Sequence, residues 1–191
     1  EKSRNLMTVR IAQNLGIERI VSFSKDLKIY ENPEELLSIS LGSAETTLIN
    51  LTSAYSAFVN GGKLVEPILI DRIQDSEGNT IYSNKMRQCI DCDQISYLSN
   101  DYPKIKNNYK QIFSPATAYQ MTSILEGVVQ RGTGKKLRDL KLNIAGKTGT
   151  TNKNTDTWFI GFTSNLLVGV YVGLDDPSPL GKYETGSKTA L

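Results

Sequence analysis

The run Gly146-Lys147-Thr148-Gly149-Thr150-Thr151 gathers an ammonium and several hydroxyls in a few residues of strand-like sequence. On a strand, alternation puts Thr148 and Thr150 on one side. At roughly 3.3 Å per residue, their hydroxyls and the Lys147 ammonium fall within about 10 Å of one another. Such a cluster suits a ligand that carries a carboxylate. Gly149 removes the side chain between the threonines, so an extended peptide can lie close against the strand. The plainer alternative is a glycine-rich edge strand with a solvated lysine.

A second candidate group opens the chain as Ser3-Arg4-Asn5. Two positions apart on a regular helix, Ser3 and Asn5 would splay by about 200° and could not share a cleft. On an extended or loop segment they can point the same way. Ser3 also reads as an N-cap for the helix that follows, and both readings can hold together.

The sequence contains no histidine. That excludes Ser-His-Asp and Cys-His arrangements and any His-ligated zinc site. A general base must therefore be a lysine, a carboxylate or a tyrosine. One Ser-x-x-Lys is present, Ser22-Phe23-Ser24-Lys25. Chance supplies about one such match in a chain of this composition, and this one lies on a helical stretch with no glycine-marked setting. Cys89 and Cys92 stand in a C-x-x-C spacing within a polar stretch. They lack the two further ligands of a structural zinc site and the strand-to-helix setting of a redox motif. A local disulfide in an oxidising compartment and a pair of idle thiols both fit. No metal ion and no cofactor is implied.

In its wider context this set of groups resembles a known family. Ala145-Gly146-Lys147-Thr148-Gly149-Thr150-Thr151, then Asp156-Thr157-Trp158-Phe159-Ile160-Gly161-Phe162, is similar to the Lys-Thr-Gly motif and next strand of class A (bifunctional) penicillin-binding proteins. Lys-Thr-Gly stands beside Ser-x-x-Lys and Ser-x-Asn in the signature set of that family and of class A β-lactamases. Ser3-Arg4-Asn5 fits Ser-x-Asn and is followed by Leu6-Met7-Thr8-Val9-Arg10, as in the family. Gly42-Ser43-Ala44-Glu45, residues 54–62, Arg131-Gly132-Thr133-Gly134 and residues 170–176 match in the same order. The resemblance covers nearly the whole chain except residues 89–108.

This resemblance implies a peptidoglycan D,D-transpeptidase, which cross-links the cell wall. In that family a serine from Ser-x-x-Lys attacks the carbonyl of a D-Ala-D-Ala stem peptide, with its neighbouring lysine as base. Carried onto this chain, Ser3 would pass a proton toward the leaving amine. Asn5 would hold the donor peptide's amide and that lysine. Lys147 would supply positive potential, Thr148 and Thr150 would bind the terminal carboxylate beside Gly149, and the Thr150 N–H would be one oxyanion-hole donor. The implied partners are stem peptides, β-lactam antibiotics and, in the parent protein, an upstream glycosyltransferase domain and a membrane anchor. The implied location is the periplasmic face of the bacterial inner membrane.

The sequence also departs from the family. The nucleophile motif precedes Ser-x-Asn by some tens of residues there, and no such segment stands before Ser3, so these 191 residues are expected to be inactive alone. A β-lactamase would need Glu-x-x-Leu-Asn; Glu34-Glu35-Leu36-Leu37-Ser38 has Ser38 in place of the asparagine, and a charged helical turn is the plainer reading. A D,D-carboxypeptidase, a β-lactamase of the same fold and a non-catalytic penicillin-binding sensor module are the alternatives.

The elements that must position these groups are readable. Leu6, Val9, Ala12 and Leu15 recur at helical spacing up to Gly16, and a weaker helix follows over 17–28. Leu48, Leu51, Tyr55 and Phe58 line one face of a helix that Gly61-Gly62 ends. Residues 68–73 and 80–82 flank a turn at 75–79 and read as a hairpin. Residues 84–112 read as an inserted polar loop. Ser114-Pro115 caps and opens a helix with Met121, Ile124, Leu125 and Val128 inward. Residues 142–151 form a strand, and 157–163 and 166–174 form a hairpin turning at Ser164-Asn165. Residues 1–62 thus make a helical part and 63–191 a sheet part of one partial domain. The fold class is α+β, an antiparallel sheet with packed helices, as in the serine β-lactamase/DD-transpeptidase fold that the resemblance implies.

Composition excludes other classes. The chain has 191 residues, 39% hydrophobic and 22% charged, with a net charge of +2, which suits one globular domain. Lys104, Lys106 and Lys110 with Tyr102 and Tyr109 read as a solvated loop, so no nucleic acid is implied. No run approaches the roughly 18 to 20 apolar residues of a membrane span, and no signal peptide is visible. Apolar helix faces left without their usual cover are expected to favour self-association.

Overall fold

The computed structural model describes residues 1–90, 102 and 104–191. They divide into two units, Glu1–Leu64 with Gln111–Leu191, and Val65–Lys110.

The first unit begins with α1 (Asn5–Leu15), which Gly16 ends at a φ of 88°, its N–H donating to the Ala12 carbonyl. Of the four apolar residues at helical spacing only Ala12 is buried; Leu6 and Leu15, with Met7 and Ile11, are exposed. Helix α2 (Ile17–Asp26) follows and buries Val21 and Ser24. A 3-10 turn at Leu37–Leu41 packs on α1. Helix α3 (Leu48–Val59) starts at Thr47, whose hydroxyl accepts from the Asn50 N–H, the expected capping arrangement. Ala54 and Ala57 are its buried apolar residues, small enough to bring neighbouring backbone close. A short strand, β1 (Lys63–Leu64), closes this stretch.

The second unit holds two hairpins. Strands β2 (Arg72–Gln74) and β3 (Thr80–Ser83) pair antiparallel. Their turn is set by Asp75, whose carboxylate accepts from the Asn79 side-chain amide and from the backbone N–H groups of Asn79 and Glu77; these bonds lower its pKa, the Asn79 side chain foremost. Strands β4 (Arg87–Ile90) and β5 (Lys104–Asn107) also pair antiparallel. They lie inside the stretch read from sequence as a polar loop, which corrects that expectation. The physical reason is that β5 is exposed along its whole length, so its strand character leaves no hydrophobic alternation. The central part of the expected loop and Cys92 lie outside the described residues. Cys89 is disulfide-bonded, which decides against idle thiols.

A short strand, β6 (Lys110–Gln111), precedes α4 (Pro115–Arg131). Ser114 caps α4 by accepting from the Thr117 N–H, with proline at its first turn. Ala118, Leu125, Val128 and Val129 are buried, whereas Ile124, expected inward, is 51% exposed. The buried stripe lies slightly further round the helix than the sequence periodicity indicates.

After a 3-10 turn at Lys135–Leu140 come β7 (Ala145–Thr150), β8 (Asp156–Phe162) and β9 (Leu167–Gly173). They form one antiparallel sheet in that order. Helix α4 packs on β7 and α3 on β9. Leu125, Ala145 and Phe162 form a buried cluster with Tyr55, Phe58, Val59 and Leu167 against it. The strand carrying Lys147 therefore rests on a core. Its outer edge has no strand partner among the described residues. No helix among the described residues is long and apolar enough to cross a membrane.

Candidate active site around Ser3 and Lys147

Ser3 lies in the lead-in to α1 with a φ of 50°, a left-handed conformation that costs a non-glycine residue free energy and persists only where the surroundings impose it. It is not the N-cap as expected. Arg4 occupies that position and makes no side-chain capping bond, and Asn5 is the first helical residue. The non-helical segment that the Ser3/Asn5 spacing requires thus ends at Arg4.

Across from it, Lys147 Nζ donates to Ser3 Oγ at 2.6 Å and to the Thr148 carbonyl at 2.8 Å. Two residues read as separate candidates therefore meet. Burial pushes the Lys147 pKa below the ordinary lysine range, because desolvation disfavours the ammonium. Since Ser3 Oγ accepts from the ammonium, its own O–H proton is free to point elsewhere.

The two threonines differ in setting. Thr148 is 8% exposed, and its hydroxyl pairs with that of Thr133 at 2.6 Å. Thr150 is exposed and accepts from the Gly186 N–H at 2.9 Å, which leaves its O–H proton to donate to an anion. Gly149 sits opposite Trp158 in the ladder, where an added Cβ would come within 3.1 Å of the Trp158 Cβ. Gly146 is tighter: an added Cβ would meet the Ile160 carbonyl oxygen at 2.7 Å. Among the described residues no hydrogen bond reaches the Asn5 side chain; the structure joins Ser3 to Lys147 and ties Asn5 to neither.

Three contacts lie outside the residues singled out from sequence. Thr133 supports Thr148, Gly186 orients the Thr150 hydroxyl, and Glu1 pairs with Arg131. Thr133 and Arg131 stand in the Arg131-Gly132-Thr133-Gly134 run, visible in the sequence but without a role attached. Nothing in the sequence pattern pointed to Gly186.

The other sequence candidates stay apart from this group in character. Ser22 is exposed in the middle of α2, in an open depression with Glu18, Arg19, Phe23 and Asp26. Glu34 and Glu35 are exposed ahead of the 3-10 turn. Among the described residues no group of three or more acidic or cysteine side chains could hold a metal ion.

Comparisons with known proteins bear on this geometry. The family model described as the penicillin binding protein transpeptidase domain matches residues 1–191. Penicillin-binding protein 1A of Rickettsia typhi is 46% identical over 193 residues, covering 100% of this chain and 25% of the relative. Penicillin-binding protein 1A of Pseudomonas aeruginosa is 35% identical over 224 residues, covering 100% of this chain and 27% of the relative. The chain thus spans about a quarter of the length of these curated relatives. Among solved structures, penicillin-binding protein 1A from Haemophilus influenzae aligns with a TM-score of 0.81 at 30% identity, over 98% of this chain and 31% of that one. PonA1 from Mycobacterium tuberculosis, in complex with penicillin V, shares the fold with a TM-score of 0.62 at 20% identity, over 86% of this chain and 44% of that one.

Proposed function

This chain belongs to the penicillin-binding protein transpeptidase domain family, and on that premise we propose that Ser3 and Lys147 form part of a peptidoglycan D,D-transpeptidase site. The observation that carries the reading is the Lys147–Ser3 hydrogen bond at 2.6 Å. It joins a proton-bearing hydroxyl to a lysine whose burial makes its proton easier to give up.

The reaction is acyl transfer without histidine. A serine nucleophile, supplied from outside these 191 residues, attacks the D-Ala-D-Ala carbonyl while its own lysine takes the hydroxyl proton. The C–N bond to the terminal D-alanine breaks, and an acceptor amine later takes the acyl group from the serine. Ser3 hands its proton to the departing D-alanine amine and recovers one from Lys147. The Thr150 hydroxyl donates to the terminal carboxylate; Thr148 contributes the second hydroxyl, though its burial beside Thr133 makes Thr150 the more accessible of the two. The Thr150 N–H is one oxyanion-hole donor, and losing such a donor costs on the order of 3 kcal/mol. Asn5 holds the donor peptide's amide. The outer edge of β7, which carries no strand among the described residues, receives the extended peptide as an added strand. β-Lactams enter as carboxylate-bearing acyl donors of the same shape. The full-length protein acts on the extracytoplasmic side of the membrane, with a glycosyltransferase domain and an anchor elsewhere in its sequence.

Labelling with a fluorescent penicillin tests this reading in the full-length protein. A stable adduct supports a transpeptidase; rapid release of the label indicates a hydrolase of the same fold; no adduct indicates a binding module. The 191-residue chain alone is expected to form none, and a penicilloyl adduct on Ser22 would overturn that. The exposed apolar face of α1 is expected to drive self-association of this chain, and a strictly monomeric species at high concentration in light scattering would contradict it.

A further inference from the structure

Ser3 sits in a strained backbone conformation, and residues 1–4 around it belong to no helix or strand. Something must hold it. On the C-terminal side α1 holds it, and two residues before it Glu1 is strapped to the end of α4. Arg131, the last residue of α4, grips the Glu1 carboxylate with two nitrogens, Nε donating to Oε2 at 2.9 Å and a terminal nitrogen to Oε1. The Thr133 N–H donates to the Glu1 carbonyl at 3.3 Å.

The seat is shaped for this contact. A Cβ on Gly132 would collide with the Glu1 carbonyl and come within 2.8 Å of the Val128 Cα, and one on Gly127 would collide with the Glu1 carboxylate. The same turn continues to Thr133, whose hydroxyl pairs with Thr148, next to Lys147. One turn at the end of α4 therefore grips both partners of the Ser3–Lys147 contact, the lead-in through Glu1 and the strand through Thr148.

We propose that Glu1 and Arg131 are positioning residues that set the Ser3 hydroxyl against Lys147. The proposal rests on the reading of Ser3 as a proton relay. The pair is open to water, with Arg131 65% and Glu1 29% exposed, so it adds little to stability. Its effect is geometric, and a misplacement of about 1 Å can cost on the order of 100-fold in rate.

The test measures acylation of the full-length protein by a fluorescent penicillin, resolving the acylation rate from the preceding noncovalent affinity. Glu1→Gln removes one charge at nearly constant size, and Arg131→Gln removes the other together with the two nitrogens that hold Glu1. Each is expected to slow acylation about tenfold, part of the loss that such a misplacement can cause, with noncovalent affinity and melting temperature nearly unchanged. The double variant should fall no further than either single one, because both break the same strap. Gly132→Ala should slow acylation without altering either charge. Wild-type acylation rates in the single variants would overturn the positioning role alone, as would losses that multiply in the double variant. A wild-type protein that is not acylated at all would overturn the transpeptidase reading and this inference together.

Discussion

Lys147 Nζ lies 2.6 Å from Ser3 Oγ although 144 positions separate the two residues in sequence. Lys147 is held from below: β7 rests on the Leu125–Ala145–Phe162 cluster and pairs Lys147 with Ile160 of β8. Ser3 is held from the side, between α1 and the Glu1 strap. A contact supported from two directions is reproducible from one molecule to the next, as a proton relay requires.

The first prediction concerns the charge on Lys147. Burial lowers its pKa in the folded protein, so the folded state releases this proton before the unfolded chain does. Between the folded and unfolded values the folded state binds fewer protons, and the contribution of Lys147 to stability rises with pH across that window. Below the window the ammonium carries a burial cost. Urea unfolding of the wild type and Lys147→Met across the alkaline range should show the wild type gaining on the variant as pH rises. A constant difference would contradict it.

Tyr55 predicts the opposite slope. Its burial pushes the hydroxyl up to about 12, above the ordinary value of about 10. Stability from the neutral phenol is complete below about pH 10 and is lost as pH climbs toward 12. Tyr55→Phe should be less sensitive to alkali than the wild type, measured by unfolding at about pH 9 and about pH 11. Equal losses in the two proteins would show that Tyr55 ionises without unfolding.

Leu125 tests the core beneath β7. It is buried against Ala145 and Phe162, and Leu125→Ala leaves a cavity that should cost about 2–5 kcal/mol. Denaturant titration reads this directly. A loss under about 1 kcal/mol would mean that the site beneath the strand collapses freely.

Much of this fold was legible because its elements carry caps and periodicity. Thr47 and Ser114 cap helices α3 and α4, and the β8–β9 hairpin turns beside Ser164-Asn165 as its sequence indicates. The hairpin of β4 and β5 was not legible, since an exposed strand shows no alternation. The site was legible in part. The Lys147 strand and the Ser3 segment are each visible as chemistry, but their meeting is a tertiary contact that the pattern of neither segment carries. Thr133, Gly186 and the Glu1–Arg131 pair act through tertiary contacts between segments distant in sequence, and periodicity carries no record of those. Ile124 shows a further limit, because a helix's apolar face and its buried face differ by part of a turn.

The most direct measurement is the rate of penicillin acylation in the full-length protein carrying Ser3→Ala, Lys147→Ala or both. A proton relay shared by the two residues predicts that each substitution slows acylation by on the order of 100-fold or more, and that the double variant is no slower than the worse single one. Acylation of Ser3→Ala at the wild-type rate would contradict the account.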